Sequence, residues 1–163
     1  GIPLPDNSID VVMRSHALEP NHGRETELLG ELLRVSRRGL LLFEPSYELG
    51  DDAQRSNMEQ HGYVRRLPDH CEQLGADVLE HHFTDVNYNP LNRTSVTVVR
   101  KPEAAITNAP AFVDPVSHTA MEFDDVDRVY FSPEQGVVYP TLRGIPILRA
   151  SASVLATGFR DPA

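Results

Sequence analysis

Two short apolar runs in this sequence are each followed at once by residues that can bind or move protons. The runs are residues 9–13 and 40–43, and ligands of open α/β sheets bind beyond the carboxyl ends of such strands. The residues that follow them are Ser15, His16 and Glu19 after the first run and Glu44 after the second. We predict that His16 and Glu44 are catalytic, because an imidazole titrates near neutral pH and a carboxylate at a buried strand end can orient or deprotonate a hydroxyl or amine. The structural alternatives are a loop that caps the next helix and an acid that caps or pairs with a base.

A second group of polar residues is predicted to contact a substrate. Its members are Tyr47, Asn87, Asn89 and Asn92. The asparagines lie between two predicted strands that turn back on each other, which brings this turn to the same edge of the sheet. Asparagine is also an ordinary turn residue and tyrosine an ordinary packing residue, so a purely structural role stays open for all of them.

The elements that must position these residues follow a strand–helix–strand order. Apolar residues at helical spacing predict a helix over residues 24–36, which Gly39 is expected to end. The fully apolar run that follows predicts a strand buried on both faces, and therefore a parallel pair with the first strand. Two further helices are predicted at 51–61 and 69–74, and two further strands at 78–83 and 95–99. About ten residues join the last two strands, too few for a helical crossover, so we expect this pair to be antiparallel.

The pattern changes after residue 101. Residues 102–111 are small and proline-containing, as in a linker, and residues 112–150 show short strands and turns without a helical period. Residues 151–163 are assigned as a tail. The expected organisation is therefore an α/β domain over residues 1–101 followed by a small, mostly-β module.

Composition excludes several classes of protein. The chain has 163 residues, a formal net charge of −9 and 40% apolar residues. The negative charge argues against a bound nucleic acid. No apolar run is long enough to span a membrane. Cys71 is the only cysteine, which rules out an intramolecular disulfide and a thiolate zinc site, and we expect a cytoplasmic protein. The sequence begins with Gly1 and not with Met, so an excerpt or a processed product is expected.

Four segments, in order and at matching spacing, resemble class I S-adenosylmethionine-dependent methyltransferases. They are LPDNSIDVV at 4–12, SHALE at 15–19, ELLRV at 31–35 and GLLLFEP at 39–45. The resemblance covers residues 1–101 and implies a partial Rossmann-like sheet with strands four, five, seven and six of that fold. It also implies S-adenosylmethionine as cofactor, with Ser15, His16 and Glu19 on the cofactor side and Glu44 on the acceptor side. In this family a glycine-rich turn and an acidic residue make the main contacts to the cofactor. Neither occurs in these 163 residues.

Residues 112–150 resemble the small zinc-ribbon-type activator of tRNA methyltransferases. The matching stretch is YPTLRGIPIL at 139–148. Where zinc-binding members carry two C-x-x-C pairs, this chain has Asp114, Ser117, Ser132 and Gln135. The resemblance therefore implies the module's fold without its metal, and no metal is expected.

The resemblance implies methyl transfer from S-adenosylmethionine to a small polar or nucleotide-linked acceptor, as part of a complete enzyme. The alternative is a non-catalytic regulatory or scaffolding module that binds a partner protein. In either case the strand at 9–13 is expected to expose an apolar edge, which favours pairing. The partner is expected to be a missing N-terminal region, a second copy of the chain or the C-terminal module of residues 112–150.

Overall fold

Two separate sheets organise the chain in the computed structural model, which describes residues 1–86, 88–102 and 111–159. The chain divides into two units, one of Asp6–Ile106 and one of Gly1–Pro5 with Thr107–Ala163. The linker proposed for residues 102–111 falls mostly outside the described residues, as do the last four residues of the tail. The assignment of the two parts to a methyltransferase domain and an activator-type module stays a prediction.

The first unit is an α/β structure around a mixed sheet. Its elements are β1 (Ile9–Ser15), α1 (Glu25–Val35), β2 (Ser36–Pro45), α2 (Asp52–His61), α3 (Leu67–Gln73), β3 (Asp77–Phe83) and β4 (Thr94–Arg100). The strand order is β1-β2-β4-β3. β1 is parallel to β2, whereas β2 with β4 and β4 with β3 are antiparallel. The predictions of a parallel pair and of a terminal antiparallel hairpin are confirmed.

Burial alternates along β2 and β4 because one face of the sheet forms the core. The prediction that β2 is buried on both faces is wrong, because Leu40 and Leu42 are buried while Leu41 between them is only half-buried. α1 packs against β2 and contributes Leu29 and Leu32 to this core. Helical spacing of the leucines in α1 thus places its apolar stripe on the buried face of the sheet.

The prediction that Gly39 ends the first helix is wrong. α1 ends at Val35, with Ser36 as its C-cap, and the chain enters β2 directly. Gly39 lies inside β2 with φ +151°, and a Cβ at this position would lie 1.9 Å from the carbonyl oxygen of Val99 in β4. A glycine is needed here because the two strand backbones approach too closely for any side chain.

The second unit is mostly β, as expected. Its elements are β5 (Glu122–Asp124), β6 (Val129–Ser132), β7 (Val137–Leu142), β8 (Ile145–Pro146), a 3₁₀ turn (Ala150–Ala152) and β9 (Val154–Leu155). The strands run antiparallel in the order β5-β6-β7-β8, and β9 also pairs with β7. Arg143 and Gly144 both have positive φ between β7 and β8, as a tight hairpin turn requires.

A buried acid organises the start of this second unit. Asp114 is fully buried, and its Oδ1 accepts the backbone N–H groups of Val116 at 2.7 Å and Ser117 at 2.9 Å. The Tyr139 hydroxyl donates to its Oδ2 at 3.0 Å. Burial raises the pKa of Asp114, but these hydrogen bonds and the neighbouring Ser132 hydroxyl outweigh it and lower the pKa overall.

The helices of the first unit are short. Over the described ranges of the chain, none is both long and apolar enough to cross a membrane.

Candidate functional site

The loop that follows β1 is held by a buried carboxylate of β2. Glu44 is 1% exposed, and its Oε1 accepts the backbone N–H groups of Ala17 at 3.0 Å and Leu18 at 3.1 Å. Its Oε2 accepts the N–H of Glu19 at 3.2 Å. Both oxygens are therefore engaged by the loop, so the geometry shows a positioning residue. The catalytic assignment of Glu44 stays a prediction.

Burial sets the proton affinity of this carboxyl group. Removal from water raises the pKa of Glu44, and the three backbone N–H groups together with nearby His16 only partly offset this.

His16 is the residue at the centre of the candidate site. Its φ of 49° lies in the left-handed region that non-glycine residues rarely adopt, and its N–H donates to the carbonyl of Phe43 at 2.9 Å. Its ring Nδ1 lies 2.9 Å from Oε2 of Glu19, and Nε2 lies 2.8 Å from Oγ1 of Thr94. Because a carboxylate only accepts, Nδ1 donates a proton to Glu19. In the tautomer that is protonated at Nδ1 alone, Nε2 accepts the threonine hydroxyl.

The turn between β3 and β4 contributes the remaining residue of the site, Asn92. Asn92 donates its side-chain N–H to Oε2 of Glu19 at 3.3 Å, so Glu19 joins the loop after β1 to this turn. The Oδ1 of Asn92 is buried and has no hydrogen-bond partner among the described residues. Asn89 instead stabilises the turn itself, since its Oδ1 accepts the N–H of Leu91 at 3.0 Å.

A cavity of about 320 Å³ opens beside His16 at the carboxyl ends of β1 and β2. Its lining combines hydroxyl groups, an imidazole and apolar side chains. The lining residues are Ser15, His16, Phe43, Thr84, Val86, Tyr88 and Thr94. None of these described lining residues is Asp, Glu, Lys or Arg, so the cavity suits a neutral or weakly polar molecule.

Sequence reasoning placed two of these lining residues, Ser15 and His16, at the site and missed the others. Thr94 faces His16 because the register of β2 with β4 pairs it with Pro45. That register depends on contacts between strands distant in sequence, so spacing alone did not reveal it. A threonine directly before the predicted final strand was the only available signal.

Tyr47 is not brought to the cavity. Its hydroxyl donates to Oε1 of Glu59 at 2.6 Å, and the guanidinium of Arg65 lies 5.0 Å from its ring centre. Asn87 lies outside the described residues, so its predicted substrate contact is not placed. The site that the structure assembles therefore contains Ser15, His16, Glu19 and Asn92, with Glu44 beneath the loop.

The described part of the chain contains no group of three or more His, Cys, Asp or Glu side chains arranged to hold a metal ion. Comparisons of the chain with family models, with curated proteins and with solved structures return no match.

Proposed function

We propose that the first unit is the acceptor-binding part of a class I methyltransferase and that it deprotonates a small acceptor for methyl transfer from S-adenosylmethionine. The observation that carries this proposal is the His16 ring. It is held between Glu19 and Thr94 at the mouth of a cavity, at the strand ends where open α/β sheets bind their ligands.

The topology of the sheet supports the same proposal. The strand order β1-β2-β4-β3, with a parallel pair and a terminal antiparallel hairpin, is what the resemblance to class I methyltransferases implies for strands four, five, seven and six. The four matching sequence segments fall on β1, on the loop after it, on α1 and on β2.

The proton would move to Nε2 of His16. An acceptor hydroxyl or amine that displaces the Thr94 hydroxyl meets the lone pair of Nε2, while Glu19 at Nδ1 stabilises the imidazolium that forms. Asn92 fixes the Glu19 carboxylate, and Glu44 fixes the loop that carries both His16 and Glu19. S-adenosylmethionine supplies an electrophilic methyl group when it is bound.

The residues of the cavity fit an acceptor and do not fit the whole cofactor. S-adenosylmethionine carries an amino group, a carboxylate and ribose hydroxyls, whereas the described lining offers no charged side chain. We therefore propose that Ser15, His16 and Glu19, which the resemblance places on the cofactor side, contact only a part of the cofactor.

Calorimetry and a methyl-transfer assay test the proposal. S-adenosylhomocysteine is titrated into the chain and into the chain extended by the coding sequence directly upstream of Gly1. Transfer of a labelled methyl group to small hydroxyl and amine compounds is then followed by mass spectrometry. We expect binding and transfer by the extended chain, with His16→Gln lowering the rate by about 100-fold. Absence of cofactor binding by both forms would reject the proposal.

A second candidate function is a non-catalytic module that binds a partner protein. The exposure of Val11 at 51% and of Met13 at 65%, both on an edge strand, favours it. A stable complex with another protein, formed without affinity for S-adenosylhomocysteine and unaffected by His16→Gln, would select this function over methyl transfer.

We further propose that the second unit is an activator-type module without zinc, and that the protein works in the cytoplasm. The hydrogen bonds of Asp114 support the assignment of a module without zinc. Asp114 and Ser117 stand where zinc-binding members of that family carry their first cysteine pair, and here the Asp114 carboxylate accepts backbone N–H groups.

A further inference from the structure

The cavity beside His16 is lined by two aromatic rings and one aliphatic side chain. Phe43 is half-buried and stands opposite Ser15 in the pairing of β2 with β1, so both side chains lie on the same face of the sheet. Val86 and Tyr88, on the turn after β3, also line the cavity and are 56% and 96% exposed. A ligand in the cavity would therefore contact mostly apolar surface.

The turn that carries Val86 and Tyr88 is anchored, although these two side chains stand in water. The Thr84 hydroxyl lies 3.1 Å from the carbonyl oxygen of Val86. Further along, the side-chain amide of Gln54 in α2 donates to the carbonyl of Pro90 at 2.8 Å. Apolar side chains held exposed at the rim of a cavity lose contact with water when an apolar ligand binds, which favours such a ligand.

The described lining of this cavity has no permanently charged side chain that could neutralise a charged ligand. Arg93 directly precedes Thr94, but its guanidinium lies 4.0 Å from the centre of the Phe83 ring. Neither Arg93 nor Phe83 is among the described lining residues. A charge removed from water without a partner costs much free energy, so phosphorylated, carboxylated and ammonium acceptors are disfavoured.

The volume of the cavity fits one ring with small substituents. It measures about 320 Å³, whereas an apolar cavity of about 150 Å³ is large enough to hold benzene. Aromatic side chains also attract aromatic ligands more than aliphatic ones of the same area, through offset-stacked or edge-to-face contacts. Size and lining together favour a single aromatic ring.

We propose, building on the methyl transfer proposed above, that the acceptor is an uncharged phenol. Its ring packs against Phe43 and Tyr88, and its hydroxyl donates to Nε2 of His16 in place of the Thr94 hydroxyl. The chemistry of the base favours the same class. A phenolic hydroxyl ionises near pH ~10, whereas the pKa of water is about 15.7, so a neutral imidazole deprotonates a phenol far more readily than an aliphatic alcohol.

Methyl transfer to a phenol forms an oxygen–carbon bond and breaks a carbon–sulfur bond. The phenol oxygen gives its proton to Nε2 of His16 and bonds to the methyl carbon, while the electron pair of the broken bond stays on the sulfur. The products are an aryl methyl ether and S-adenosylhomocysteine. Glu19 at Nδ1 stabilises the imidazolium until it releases the proton to water.

Binding to the chain itself tests the inference without any methyl transfer. NMR titrations give dissociation constants for phenol, cyclohexanol and para-hydroxybenzoate. We expect phenol to bind about threefold tighter than cyclohexanol, which has the same size and hydroxyl but no aromatic ring. We expect para-hydroxybenzoate, which adds a negative charge, to bind at least about tenfold more weakly than phenol.

Substitutions on the exposed rim test which residues make the contact, and the exposure of these side chains should leave the fold intact. Tyr88→Ala should weaken phenol binding by about threefold or more, and Tyr88→Phe should restore it. Val86→Lys supplies the missing positive charge and should shift the preference toward para-hydroxybenzoate by about tenfold. Val126→Lys makes the same change at a valine that is 90% exposed in the second unit, and it should change neither affinity.

The chain extended upstream of Gly1, with S-adenosylmethionine, tests the acceptor class directly. We expect transfer to phenol at a rate at least about 100-fold above that to cyclohexanol, and above that to aniline. Faster transfer to cyclohexanol or aniline overturns the inference and leaves the proposed function standing. Tighter binding of cyclohexanol or para-hydroxybenzoate than of phenol overturns it as well, and so do equal effects of Val86→Lys and Val126→Lys. Absence of transfer to all three compounds, with phenol still preferred in the titrations, counts against the proposed function and not against the preference of the cavity.

Discussion

The carboxylate of Glu44 accepts the backbone N–H of Leu18 at 3.1 Å, which joins two segments 26 residues apart in the chain. Leu18 is itself buried, so this hydrogen bond lies away from water. The contact determines where the loop after β1 runs, and therefore where His16 and Glu19 are presented.

Glu44→Gln should destabilise the first unit by about 2 kcal/mol. The amide keeps one acceptor but directs an N–H₂ group at backbone donors, and a buried donor left without a partner costs about 1–3 kcal/mol. Urea unfolding measures the change. Glu27→Gln on the exposed face of α1 is the control and should leave the free energy of unfolding nearly unchanged. Equal effects of the two substitutions would show that the Glu44 contacts contribute little.

The left-handed conformation of His16 predicts different effects for two substitutions that both remove the ring. Glycine adopts a φ of 49° freely and alanine does not, so His16→Gly should be more stable than His16→Ala by about 1 kcal/mol. In the proposed function methyl transfer depends on Nε2, so both variants should lack it. Thermal melts and the transfer assay measure the two properties separately. A more stable alanine variant would argue against backbone strain at this position.

Gly39→Ala should prevent the normal pairing of β2 with β4. Its Cβ would fall 1.9 Å from the carbonyl oxygen of Val99, so one strand must move, and we expect a loss of about 3 kcal/mol or more. Gly30→Ala in α1 is the matched control. Its Cβ would meet nothing closer than 3.9 Å, and alanine in a helix should raise stability by about 0.5–1 kcal/mol. Denaturant unfolding of both variants gives the comparison, and two similar losses would contradict the close approach.

Alkaline pH should destabilise the second unit through Tyr139. Burial, and then the hydrogen bond to Asp114, raise the pKa of this hydroxyl from 10.0 to about 12. The folded state therefore holds the proton more tightly than the unfolded state. The resulting stabilisation is complete below pH 10 and is lost as the pH rises from about 10 to 12. Tyr139→Phe should remove this loss of stability at alkaline pH. In a spectrophotometric titration, the variant should lack the tyrosine ionisation that occurs at the highest pH. An unchanged alkaline melting profile would refute the assignment.

Local pattern predicted the elements of the first unit because their signals lie within short windows. The apolar run of β2 and the leucines of α1 indicate a buried strand and an amphipathic helix without reference to the rest of the chain. Gly39 was misassigned because a glycine after basic residues is typical of a helix end. Glycine is required at this position because the carbonyl group of Val99, 60 residues later, lies too close for a side chain. No local window contains both residues.

The candidate site was predicted only in part, for a related reason. His16 and Glu19 were found because they directly follow a strand. Glu44 was found for the same reason, but its burial and its three backbone contacts depend on how the loop folds back. Thr94 lies next to His16 because of the register of two antiparallel strands. The hydroxyl of Tyr47 donates to Glu59, a contact that residue spacing in the sequence does not predict.

The loop after β1 is attached at several independent points, by Glu44 below it and by Thr94 and Asn92 beside it. The imidazole of His16 therefore has little rotational freedom left to lose when a ligand arrives. Preorganisation of this kind lets binding free energy go into affinity and alignment instead of into ordering the imidazole. In the proposed function, substitutions that loosen the loop should therefore lower the stability of the first unit and the rate of methyl transfer together.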